Sequence, residues 1–122
     1  MSHPTEQVTG TAVCRLDQIR PESGVPALVD GEAVAVFRTY DDRVFAISNF
    51  DPFGRASVLS RGIVGTVGEE AVPFVASPLL KQRFELRTGV CLDDPEVAVA
   101  SYDVRVVDGV VVVGARQGTL EP

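Results

Sequence analysis

The residues able to do nucleophilic, acid–base or metal chemistry are few and scattered in this 122-residue chain. The single histidine, His3, lies in a polar N-terminal stretch, and no Ser/His/Asp or Cys/His constellation can be assembled without it. Cys14 and Cys91 are far apart in sequence and form none of the close-spaced pairs that metal sites use. They read as reduced, structural thiols, with a disulfide between them left open. Asp93-Asp94 and Glu69-Glu70 are adjacent carboxylates, but neighbours on extended backbone point apart and the calcium-loop pattern around them is absent. Both pairs read as solvated turns. The run Arg61-Gly62-Ile63-Val64-Gly65-Thr66-Val67-Gly68 has neither the dinucleotide fingerprint nor the lysine of a phosphate loop, and its glycines read as turn residues. No catalytic machinery is legible in the chain.

The elements that would position any site are short strands. With 45% hydrophobic residues, 11 Gly and 8 Pro, the chain supports one domain core, and its apolar residues follow no long helical period. The expected class is all-β. Residues 1–10 are polar and aperiodic and are expected to form a flexible arm, residues 11–116 the domain, and 117–122 a tail. Strands are expected at Ala12 to Leu16, Pro26 to Val29, Glu32 to Tyr40 and Val44 to Ile47, with a turn over Arg20 to Gly24. Asp30-Gly31 and Asp108-Gly109 carry the signal of type I′ hairpins. Further hairpin strands are expected at Ile63 to Val67 and Val72 to Val75, where Pro73 favours an edge or a bulge. Strands at Arg83 to Leu86, Val90 to Leu92, Tyr102 to Val106 and Val110 to Val113 complete the pattern. Two segments break it: a loop from Asn49 to Gly62, longer than a common hairpin connection, and Ser77 to Gln82.

With 11 Lys+Arg against 17 Asp+Glu, the formal charge is −6, which works against a nucleic-acid or anionic membrane partner. No apolar run approaches the ~18 residues of a membrane span, and the N-terminus lacks a signal-peptide pattern; a cytoplasmic location is expected.

The segment Ser77-Pro78-Leu79-Leu80-Lys81-Gln82-Arg83-Phe84-Glu85-Leu86-Arg87-Thr88-Gly89 resembles the second ligand loop of Rieske proteins, with Ser77 at the cysteine position and Leu80 at the histidine position. Val44-Phe45-Ala46-Ile47-Ser48-Asn49-Phe50-Asp51 resembles the strand and first ligand loop, with Asn49 at the cysteine and Asp51 at the histidine. A Rieske [2Fe–2S] centre needs two thiolates and two imidazoles, so these four positions read as vestigial. The combination of Asn49-Phe50-Asp51-Pro52-Phe53, Val58-Leu59-Ser60-Arg61-Gly62-Ile63-Val64-Gly65 and Ser77-Pro78-Leu79-Leu80-Lys81-Gln82-Arg83-Phe84 is similar to the small subunits of assimilatory NAD(P)H nitrite reductase, from about Val13 to Val113.

That resemblance implies a Rieske-like antiparallel β-sandwich or barrel with two ligand-type loops at one tip. It implies a non-catalytic subunit of an enzyme reducing nitrite to ammonium, with no cofactor in this chain. The flavin, iron–sulfur cluster and sirohaem would belong to a large partner subunit. Phe50, Phe53, Leu79 and Leu80 are expected to form an apolar tip facing that partner or filling the place of the cluster, with Arg55, Lys81 and Arg83 on its rim. The competing readings are a cluster-free binding module unconnected with nitrite, and a Rieske ferredoxin of an oxygenase.

Overall fold

The computed structural model describes residues 10–117. Apart from Gly10 and Gln117, the expected arm and tail lie outside the described residues, as does His3. The strands, in chain order, are β1 Thr11–Arg15, β2 Ser23–Val29, β3 Glu32–Arg38, β4 Val44–Ser48, β5 Phe50–Asp51, β6 Ala56–Ser57, β7 Ile63–Val67, β8 Val72–Ala76, β9 Arg83–Glu85, β10 Ser101–Val107 and β11 Val110–Arg116. The helical elements among the described residues are two short 3-10 turns, Leu16–Gln18 and Leu59–Arg61. No helix there is long and apolar enough to cross a membrane.

Six strands form one antiparallel sheet in the order β1-β11-β10-β4-β3-β2. Its outer strands β1 and β2 approach each other, so the sheet nearly closes into a barrel. The Asp-Gly turns work as the sequence predicts: Asp30 and Gly31 have φ of 51° and 81°, and Asp108 and Gly109 have 52° and 81°. These left-handed pairs match the twist of the strands they join. A second sheet, β7-β8-β9, packs beside the first.

The core lies on both faces of β3. Val34 and Val36 face the barrel interior with Ile19, Val111 and Val113, whereas Ala35 and Phe37 face the second sheet with Val75, Phe84 and Leu86. A strand covered on both faces reads as a continuous apolar run, which explains Ala33 to Phe37. Cys91 belongs to the cluster against the second sheet and Cys14 packs on the barrel cluster, both as free thiols. Burial pushes the Cys14 thiol pKa up.

Three local expectations change. β2 begins at Ser23, inside the segment read as a turn, because Gly24 is a packing residue: a Cβ there would stand 2.6 Å from the Phe37 ring. Pro73 sits in β8, the middle strand of its sheet, but outside the span paired with β9, and its carbonyl accepts the Leu86 N–H at 2.9 Å. The strand expected over Val90 to Leu92 reduces to the single bridges Phe84–Cys91 and Val90–Ala98.

Candidate functional site at the two-loop tip

The loop after β4 leaves the ladder, so its backbone donors need other acceptors. Asn49 closes the loop's base. It is buried; its Oδ1 accepts the Ser60 N–H at 2.7 Å, its Nδ2 donates to the Ser57 carbonyl at 3.3 Å, and its own carbonyl accepts the Leu59 N–H at 3.0 Å. Asp51 organises the tip and is fully buried. Its Oδ1 accepts the N–H groups of Phe53 at 2.8 Å and Gly54 at 3.1 Å, which is the side-chain-mimicked turn that Asp followed by Pro52 favours. The Arg55 N–H reaches the Asp51 carbonyl at 2.6 Å, with Arg55 itself at φ 63°.

The second loop is tied to the first through the other carboxylate oxygen. Ser77, also buried, donates its hydroxyl to Asp51 Oδ2. The same hydroxyl oxygen accepts the Leu79 N–H at 3.2 Å, while the Ser77 carbonyl accepts the Lys81 N–H at 3.1 Å. Gly54 completes the junction: a Cβ there would lie 2.5 Å from Leu79 Cδ1, so the loops touch because residue 54 has no side chain. Three of the four positions read as vestigial, Asn49, Asp51 and Ser77, are thus hydrogen-bonded inside the loops. Leu80 projects outward at 57% exposure.

The candidate interface residues divide. Phe50, Leu79 and Leu80 are exposed at 43%, 46% and 57%. Phe53 turns inward, packing on the core with its ring 6.1 Å from that of Phe84. Arg55 and Lys81 are exposed and form no ion pair among the described residues. Arg83, expected on the rim, is ion-paired: its guanidinium holds Asp93 at 2.9 Å and lies 5.8 Å from the centre of the Phe74 ring. The Asp93 hydrogen bond raises the Arg83 pKa above its ordinary range, and Arg83 in turn lowers that of Asp93. The Asp51–Ser77 bond and the Asn49 suture escaped sequence reasoning, which weighed these side chains as metal donors. The Asp-Pro-Phe-Gly order at 51–54 was the available signal for the turn, though nothing in it names Ser77 as partner.

Residues 10–114 match the family model of the Rieske-like [2Fe-2S] domain. The chain is 55% identical over 100 residues to the nitrite reductase (NADH) small subunit of Salmonella typhimurium, covering 81% of this chain and 91% of that protein. The solved structure of the E. coli protein NirD superposes with a TM-score of 0.77 at 48% identity, covering 91% of this chain and 98% of the other. The ferredoxin of carbazole 1,9a-dioxygenase from Nocardioides aromaticivorans gives a TM-score of 0.72 at 33% identity, over 88% of this chain and 99% of the other. The chain is also 43% identical over 106 residues to a nitrite reductase [NAD(P)H] large subunit of Klebsiella oxytoca, covering 87% of this chain and 11% of that protein.

These findings overturn the expectation that no cofactor goes with this chain. The matching model is that of a [2Fe-2S] domain and a ferredoxin stands among the structural neighbours, so an iron–sulfur cofactor belongs to the family. The residues at the two loops do not fit such a group. Two thiolates and two imidazoles are needed, and the tip supplies an amide, a carboxylate, a hydroxyl and a leucine, the first three already bonded within the loops. Gln82 Oε1, a buried oxygen without a partner among the described residues at the end of the second loop, is again a neutral donor of the wrong kind. Among the described residues no three His, Cys, Asp or Glu side chains gather as a metal site. Family model, shared length and fold agree, and the chain belongs to the Rieske-like [2Fe-2S] domain family, among the small subunits of NADH-dependent nitrite reductases.

Proposed function

We propose that this chain is the small, non-catalytic subunit of a cytoplasmic nitrite reductase [NAD(P)H] that reduces nitrite to ammonium in nitrate and nitrite assimilation, and that it docks on the large subunit through the two-loop tip. The observation that carries the assignment is the 55% identity to a nitrite reductase small subunit across 91% of that protein's length. The Klebsiella oxytoca similarity supports the partner: there a segment like this chain lies within a large subunit, so the two kinds of unit share one polypeptide.

The tip suits contact. Phe50, Leu79 and Leu80 offer apolar surface, with the cations of Arg55 and Lys81 nearby in sequence on a chain of net charge −6. Phe53 holds the first loop from within, Arg83 braces the second through Asp93, and Asn49, Asp51 and Ser77 keep both loops in shape. No nucleic acid or membrane is needed in this role.

The test is recovery of the tagged chain from nitrite-grown cells. Co-purification of the large subunit with nicotinamide-dependent nitrite reduction is the expected result, and Leu80→Asp should abolish it while the variant remains folded. Recovery of an unrelated partner, or none, from a lysate with active enzyme would overturn the proposal.

A further inference from the structure

An open cleft of about 460 Å³ adjoins the tip. Phe50 of the first loop forms part of its lining, together with the small side chains Ala33, Ala98 and Ala100. Ala33 and Ala98 are exposed and Phe50 is 43% exposed, so side chains of the described residues leave this apolar surface uncovered. Tyr102 and Arg116, cross-strand partners on β10 and β11, also line it. The Tyr102 hydroxyl donates to Glu32 Oε1 at 2.5 Å, which engages the one carboxylate of the lining. Arg116 forms no ion pair among the described residues. The cleft therefore combines apolar surface, shared with the tip through Phe50, with the cation of Arg116, which is unpaired among the described residues.

On the basis of the docking described above, we propose that this cleft receives a segment of the large subunit in which a large apolar side chain packs against Phe50 and the alanines and a neighbouring Asp or Glu pairs with Arg116. Two features support this occupant. Phe50 belongs to both the tip and the cleft, and the Arg116 cation complements a carboxylate. A volume of this order accommodates a large side chain with adjoining backbone. The apolar contact would supply most of the affinity, and the Arg116 pair would fix orientation.

The test measures binding of the purified large subunit to the full chain and to three variants: Ala98→Trp, which fills the cleft, Arg116→Glu, which reverses its cation, and Leu80→Asp at the tip. Ala98→Trp and Arg116→Glu should each weaken binding about tenfold or more, and Arg116→Glu should also reduce its salt sensitivity. Wild-type affinity in both cleft variants, with binding lost in Leu80→Asp, would overturn the cleft and leave tip docking standing. Failure of the wild-type chain to bind the large subunit would remove both. Hydrogen exchange on the wild-type chain provides a measurement independent of variant folding: amides from Ala98 to Tyr102 should gain protection in the complex, and their unchanged exchange would overturn the inference.

Discussion

The barrel wall and the two-loop tip are held together by different physics. In the wall, backbone groups are satisfied by the strand ladder, and side chains contribute through buried area, as Val34, Val36, Val111 and Val113 do around one cluster. At the tip the ladder ends, and backbone donors depend on a few side-chain acceptors. Asp51 alone satisfies the N–H groups of Phe53 and Gly54 and the hydroxyl of Ser77. Losses in the wall should therefore be graded by volume. Losses at the tip should be concentrated in a single residue.

The largest expected effect follows from that concentration. Asp51→Ala leaves one buried and two part-buried donors without their acceptor and should cost about 4 kcal/mol, read as a fall in the urea midpoint. Asp51→Asn retains an acceptor for the turn and should cost visibly less. A loss below about 1 kcal/mol in Asp51→Ala would mean that the packing of Phe53 and Leu79 holds the tip and that the polar bonds are incidental.

Val113→Ala probes the wall. Removing two methyl groups from a side chain only 1% exposed should cost about 2 kcal/mol, made up of lost transfer energy and an unfilled cavity. Affinity for the large subunit should stay at the wild-type level, because β11 at this position faces the barrel interior and not the proposed docking surface. If Val113→Ala impaired binding as strongly as Leu80→Asp, the division between wall and tip would fail.

The same contrast governs what could be read in advance. Short apolar runs and Asp-Gly turns write the wall locally, so strands such as β3 and β4 and both I′ hairpins were legible. Gly24 was misread because its role depends on Phe37 across the sheet, information absent from the neighbouring residues. The loops themselves stood out where the pattern broke. The Asp51–Ser77 bond did not, because it joins residues 26 positions apart through side-chain atoms, and neither periodicity nor propensity reports such a pairing. The Arg83–Asp93 pair went unread for the same reason, Asp93 having read as part of a solvated turn.

That Arg83–Asp93 pair gives the smallest expected effect and sharpens the distinction between a buried carboxylate and an exposed one. Asp93 accepts the Arg83 backbone N–H at 2.8 Å and its guanidinium at 2.9 Å, but both side chains are 38% exposed, so solvent screens the pair. The Arg83 side chain, followed by its backbone N–H, holds the Asp93 pKa below the ordinary 3.8. A carboxyl depressed in the folded state stabilises the fold above its unfolded value, and that stabilisation disappears as pH falls through the lower folded value. Stability should therefore decline on acidification below pH 3.8, and Asp93→Asn should flatten this part of the curve while shifting the neutral-pH midpoint less than Val113→Ala. An unchanged acid limb in Asp93→Asn would mean that the pair contributes no net stability, leaving the β8–β9 ladder to hold the base of the second loop.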